Sequence, residues 1–211
     1  MSEFNNERYG LVTGSKCGVL FPLKGDGLVG IRTYAKHLAT SMYFRFWDEQ
    51  GSWQTEHGKM AEYHAFIHYQ QYVDENITAG GWHRIGDCGG STDAEVPGVR
   101  GVDFKCPVTL EGWLNYLTKG ISRDEECQAK MYCYLTGLPK WEIAAYLCET
   151  TRMSDNGLTY PVPEEKRMIR VKVYKDAEWE AELLEEVPIV IRIRDEFITK
   201  FKQHFENEDN I

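Results

Sequence analysis

The stretch from Gly89 to Pro107, GGSTDAEVPGVRGVDFKCP, limits what the chain can become more than any other part of it. Side chains alternate faces along a strand, so a strand through Val102, Asp103, Phe104 and Lys105 puts the acid and the lysine on one face and sends Val102 and Phe104 into the core. An acid and a lysine can thus stand side by side at the edge of a buried sheet. Asp93 lies upstream, across the turn signal Pro97-Gly98. A two-residue loop at 97–98 would pair Asp93 with Val102, on the wrong face. A three-residue loop, Val96-Pro97-Gly98, pairs it with Gly101 and brings Asp93, Asp103 and Lys105 to one side, so an odd loop or a bulge is expected.

Two carboxylates held a few ångströms apart repel each other and raise one another's pKa unless a divalent cation lies between them. Oxygen-only ligands with room for water favour Mg²⁺, with Mn²⁺ as a substitute, and such an ion can clamp a phosphodiester and generate a hydroxide nucleophile. Lys105 would orient or help deprotonate the attacking water and stabilise charge developing on the phosphate. Taken alone, an Asp-x-Lys reads first as an edge strand with solvated charges, so the surroundings must decide.

Those surroundings read as an α/β chain. Thr13-Gly14-Ser15 opens a short helix, capped by Thr or Ser and stopped by Pro22. Longer helices are expected over 31–47 and 55–75, the second with Met60, Phe66, Ile67 and Val73 on its apolar face. From Gly80 to Pro107 short β-compatible runs broken by Gly and Pro suggest an antiparallel meander. Helices at 109–119 and 123–136 follow, then strands at Lys140 to Cys148 and Met168 to Tyr174. A terminal helix over 176–206 should break at Pro188, and Glu206 to Ile211 read as a polar tail. This order gives a sheet with helices on its faces.

Composition narrows the class further. The fractions of 42% hydrophobic and 27% charged residues suit a globular protein, 211 residues suit one domain, and no apolar run approaches the roughly 20 residues that span a bilayer. The N-terminus lacks the pattern of a secretory signal, so a cytoplasmic protein is expected. The six cysteines, from Cys17 to Cys148, have no zinc spacing and read as free thiols, many of them buried. A net charge of −9 argues against a generally basic coat for nucleic acid. The charge is uneven, however. Residues 1–45 hold six Lys/Arg against three Asp/Glu and 149–211 hold ten against fifteen, so a phosphate-binding surface belongs on the N-terminal side.

The order Gly58-x-x-x-Glu62 on a helix, then Asp93, then Asp103-Phe104-Lys105-Cys106-Pro107, then Gln128-x-x-x-Tyr132 on a later helix, resembles the phage lambda-type exonucleases, or YqaJ-like viral recombinases. These belong to the PD-(D/E)XK superfamily, and the resemblance runs from about Arg8 to Tyr146. It implies a restriction-endonuclease-like core, a central mixed β-sheet flanked by helices, in one nuclease domain over 1–211 with an N-terminal helical segment 1–50 and an acidic C-terminal helical segment 176–211. It also implies metal binding by Glu62, Asp93 and Asp103 with the Phe104 carbonyl, a catalytic Lys105, and Gln128 near the site. Gln128 and Tyr132, at i and i+4, share one helical face on spacing alone.

Arg8-Tyr-Gly-Leu-Val-Thr-Gly-Ser15 resembles the family's pocket for a terminal 5′-phosphate, which adds Arg8, Thr13, Ser15 and Lys16 to Tyr132 as DNA-binding residues. Free amides at a helix start and an arginine fork suit an anion, although ordinary capping beside a surface arginine has the same sequence. The usual proline before the first acid is Thr92, the common glutamate before x-Lys is Asp103, and no arginine follows Lys-Cys-Pro in Val108-Thr109-Leu110-Glu111.

The reading that follows is an Mg²⁺-dependent 5′-to-3′ double-stranded DNA exonuclease that resects duplex ends for phage homologous recombination. By resemblance it would be a homotrimeric ring working with a single-strand annealing protein in the bacterial host cytoplasm. The alternatives are an endonuclease of the same superfamily, a nuclease of other polarity, and a non-enzymatic DNA-binding or assembly module. An iron–sulfur exonuclease is disfavoured, because it needs cysteines near the C-terminus and the last here is Cys148. His64 and His68 stand at i and i+4 on the Glu62 helix but lack a third ligand, so they read as surface or network histidines. The tryptophans read mainly as packing residues.

Overall fold

The computed structural model describes residues 8–21, 28–46, 53–148 and 160–206. In chain order these form strand β1 (Val12–Thr13), a 3-10 helix (Gly14–Leu20), α1 (Val29–Phe44), α2 (Trp53–Tyr72), β2 (Thr78–Ala79), β3 (Trp82–Ile85), β4 (Cys88–Ser91), β5 (Ala94–Val96), β6 (Arg100–Lys105), α3 (Leu110–Thr118), α4 (Arg123–Thr136), β7 (Lys140–Tyr146), a second 3-10 turn (Glu164–Lys166), β8 (Met168–Tyr174) and α5 (Ala177–Phe205). No helix among the described residues is long and apolar enough to cross a membrane.

A mixed five-stranded sheet, ordered β2-β5-β6-β7-β8, has β6 at its centre, antiparallel to β5 and parallel to β7. A parallel neighbour requires a crossover, and α3 and α4 supply it. Alternation works as the sequence predicts. Val102 and Phe104 pack beneath α2 with Ala61, Ala65 and Tyr69, while Trp141 and Ile143 face a larger core built with α1, α4 and α5. Burying each such large apolar side chain stabilises the sheet by roughly 1.5–3 kcal/mol.

Several expectations are corrected. The meander divides: β3 and β4 leave the main sheet and pair with β1 in a second, three-stranded sheet. The N-terminal segment is therefore not purely helical, and its helix is of the 3-10 type with no side-chain cap at Thr13. α2 buries Ala61, Ala65, His68 and Tyr69, whereas Met60 and Ile67 are exposed, because small alanines let its backbone approach the sheet. α5 runs unbroken past Pro188. That proline is exposed, so water can satisfy the carbonyl it leaves open, and Leu183, Val187 and Val190 bury their side chains on either side of it.

Candidate active site

Register places the acids. The β5–β6 pairs, Val96 with Arg100 and Ala94 with Val102, enclose the odd loop Pro97-Gly98-Val99, one residue later than expected. Val99 N–H closes the turn on Val96 C=O, and Gly98 takes φ +71°, as a type II turn demands after proline. Continuing the ladder puts Asp93 opposite Asp103 rather than Gly101, which keeps the same face. At Asp93 the chain has already turned towards β2, since Gly80 N–H donates to Asp93 C=O. Its carboxylate then takes the ladder position itself, accepting from Phe104 N–H at 2.7 Å. The β5 side of β6 thus opens where Asp103 and Lys105 emerge.

Asp103 is 2% exposed. Its Oδ2 lies 2.6 Å from Lys105 Nζ yet receives no well-directed hydrogen bond. From α4, Gln128 Nε2 donates to Asp103 Oδ1 at 3.3 Å and to Tyr132 Oη at 3.2 Å, while Gln128 Oε1 accepts from Lys105 Nζ at 3.3 Å. Burial, and next the charge of Asp103, push the Asp93 carboxyl well above its ordinary value, and Glu62 adds to this. Asp103 is raised by burial against the opposing pull of Lys105. Burial disfavours the Lys105 ammonium, but Asp103 outweighs it and the lysine stays charged.

Glu62 acts on Asp93 and Cys106 from α2, but no group of three or more His, Cys, Asp or Glu among the described residues converges closely enough to hold a metal by itself. The expected three-carboxylate cluster of Glu62, Asp93 and Asp103 is thus not formed. Lys105 occupies Asp103 on one side, and Asp93 is turned to the Phe104 amide. The donor set still fits Mg²⁺, which binds through one or two carboxylates and keeps several waters. Two buried acids face each other with one lysine in direct contact, on Asp103, so the pair can take up the charge of a further cation. Phe104 follows Asp103 directly, so its carbonyl remains a candidate further ligand.

A cavity of about 240 Å³ opens beside this group, lined by Arg8, Thr13, Gly14, Ser15, Trp82, Gly90, Ser91, Asp93 and Tyr132. Thr13 Oγ1 is buried there without a hydrogen bond. Gly14 and Gly90 allow the Tyr132 ring to approach, since a Cβ on either would fall 2.7 or 2.6 Å from its Cε1. The structure therefore brings Arg8, Thr13, Ser15 and Tyr132 together with Asp93, while Lys16 is exposed and is not among the lining residues.

Sequence reasoning missed Ser91 and Trp82, whose places depend on β3–β4 pairing. It also missed Glu125, for which a Ser-x-x-Glu signal existed. Ser122 and Glu125 form a capping box at the start of α4, and Tyr116 donates to Glu125 at 2.6 Å. His64 is exposed, and buried His68 bonds the Glu164 carbonyl at 2.6 Å, as a structural histidine would. All six cysteines are free and all but Cys106 are buried.

No family model matches the chain, and no curated protein does either. Solved structures do. An alkaline exonuclease from Laribacter hongkongensis superposes with a TM-score of 0.77 at 19% identity over 97% of both chains. The same exonuclease in complex with dAMP gives 0.77 at 20% identity over the same shares. A phage-related exonuclease from Haemophilus somnus gives 0.75 at 16% identity over 94% of this chain and 99% of that one. Along nearly its whole length, the chain has the restriction-endonuclease-like α/β fold of these exonucleases.

Proposed function

We propose that the chain is one nuclease domain, a divalent-metal-dependent DNA exonuclease that removes nucleotides from the 5′ ends of duplex DNA. One observation carries this reading: Asp93 belongs both to the buried carboxylate pair and to the wall of the cavity that Arg8, Thr13, Ser15 and Ser91 line. A pocket for a chain end that shares a wall with the hydrolytic centre is what end-dependent cutting requires. The Laribacter exonuclease binds dAMP, and a nucleoside monophosphate is the product that stepwise removal from a DNA end would release.

Asp93 and Asp103 would hold Mg²⁺, with Glu62 in reserve and the Phe104 carbonyl beside them. Bound there, the ion would polarise the scissile phosphate and lower the pKa of the attacking water. Gln128 accepts from Lys105, which pairs with Asp103, and from there the ammonium would orient the water and steady charge developing on the phosphate. Arg8 and the hydroxyls of Thr13, Ser15 and Ser91 bind the terminal phosphate and set the register of the cut. Resection for phage recombination in a bacterial cytoplasm, a ring-shaped trimer and an annealing partner rest on the family resemblance.

The test is a gel assay with Mg²⁺ on a linear duplex with a 5′-phosphate, the same duplex with a 5′-hydroxyl, and a closed circle. Fast loss of the first, slower loss of the second and an intact circle are expected. Cutting of the circle would replace the reading with an endonuclease, and no digestion of any substrate would leave a binding module.

A further inference from the structure

Arg8 does not reach the cavity as a loose side chain. Its guanidinium carbon lies 5.3 Å from the centroid of the Trp82 ring, and its Nη2 donates to Ser91 Oγ at 2.6 Å. Trp82 and Ser91 are directly opposed partners in the β3–β4 ladder, so their side chains share one face of the small sheet. The guanidinium is thus held by a cross-strand pair, its carbon over the indole and one nitrogen on the hydroxyl. The indole lies close over β4 because residue 89 is glycine. A Cβ there would come within 2.8 Å of the Trp82 ring. Trp82, Ser91, Arg8 and Asp93 all line the same cavity.

We infer that Trp82 is a specificity-determining positioning residue, which holds Arg8 in the orientation that meets a phosphorylated 5′ end and so sets how strongly phosphate is preferred over hydroxyl. This rests on the end-binding reading of the cavity given above. A free arginine side chain loses rotamer freedom when it meets a phosphate, and stacking beforehand removes much of that loss. An indole is the best of the aromatic faces for the purpose, because it holds the cation without accepting its N–H hydrogen bonds.

The experiment measures binding in chelator, where no hydrolysis interferes. Fluorescence anisotropy gives the dissociation constants of duplexes with a 5′-phosphate and with a 5′-hydroxyl for wild type, Trp82→Phe, Trp82→Leu, Arg8→Ala and the Trp82→Leu, Arg8→Ala double variant. Circular dichroism confirms that each variant is folded, and Trp82→Phe keeps an aromatic face should leucine disturb the sheet. Trp82→Leu should weaken binding of the phosphorylated end by roughly three- to thirtyfold and leave the hydroxyl end nearly unchanged. Trp82→Phe should recover most of the loss. In the double variant the loss should not exceed that of Arg8→Ala alone, because the two residues act as one unit.

Equal weakening on both ends, additive losses, or full preference retained by Trp82→Leu would overturn the inference. A wild type that binds both ends alike would overturn it together with the phosphate pocket. A wild type that prefers phosphate in this assay, with the variants behaving as stated, yet digests nothing with Mg²⁺ would uphold the inference and sink only the nuclease reading.

Discussion

Asp103 on β6 and Glu142 on β7 are buried carboxylates on neighbouring strands, 2% and 1% exposed, yet they are treated in opposite ways. They lie on opposite faces of the same sheet. Glu142 accepts from Tyr69 Oη at 2.8 Å and pairs with Arg100 at 3.6 Å and Arg170 at 3.4 Å, while Arg100 also meets Asp74 at 2.6 Å. Two acids there face two arginines. Around Asp103, Lys105 is the cation in direct contact, while the neighbouring Asp93 is pushed up by burial and by the charge of Asp103. A buried charge is tolerated when it is paired and hydrogen-bonded, so the first cluster is complete in itself and the second calls for added positive charge. The first reads as structure, the second as a site.

The largest effect should come from Lys105→Ala, which on the proposed reading removes the water-orienting group without touching the core. Digestion of a 5′-phosphorylated duplex should fall by roughly 10²- to 10⁴-fold while circular dichroism shows the variant still folded, Asp103 taking up a proton in place of the lysine's charge. Turnover near that of wild type would erase the functional side of the contrast. Glu142→Ala should behave in reverse. Removing one partner of a buried pair strips Arg100 of one of its two carboxylates and the Tyr69 hydroxyl of its acceptor, at a cost of about 3–5 kcal/mol in urea unfolding. If its stability matched wild type, the Glu142 cluster would not be the structural half of the pair.

A smaller effect concerns pH. The folded Asp93 and Asp103 carboxyls are both raised, by burial first, so the folded state binds more protons than the unfolded one and stability without metal falls as pH rises above the ordinary carboxylate range. On the proposed reading Mg²⁺ would take the place of those protons. At about a hundredfold excess over its dissociation constant it should add roughly 2.7 kcal/mol near neutral pH and progressively less towards about pH 4, as monitored by thermal unfolding. Stabilisation that is independent of pH would place the ion elsewhere.

Much of this contrast was legible before the structure. Alternation through Val102-Asp103-Phe104-Lys105 assigned both faces of β6 correctly, and the odd loop placed Asp93 on the side of Asp103. The same alternation through Trp141-Glu142-Ile143-Ala144 marks Glu142 as a charge among apolar neighbours, yet its partners come from α2, β6 and β8 and no local pattern joins them. The split of the meander was hidden for a similar reason. Thr92 N–H bonds the Gly81 carbonyl and Gly80 N–H bonds Asp93, and these long-range contacts, not strand propensity, decide which sheet each strand joins. Pro188 misled because local helix rules do not count the burial of Leu183, Val187 and Val190.

The most direct test of the account is Asp103→Asn, measured for digestion of a linear 5′-phosphorylated duplex with Mg²⁺ and for unfolding midpoint with Mg²⁺ and with chelator, beside wild type. The substitution removes a buried charge and keeps the shape. In chelator the variant should be at least as stable as wild type. With Mg²⁺ only wild type should gain stability, and only wild type should digest the duplex. An Asp103→Asn variant that digests at the wild-type rate, or a wild type whose midpoint and digestion are indifferent to Mg²⁺, would contradict the assignment of this carboxylate pair as a divalent-cation site.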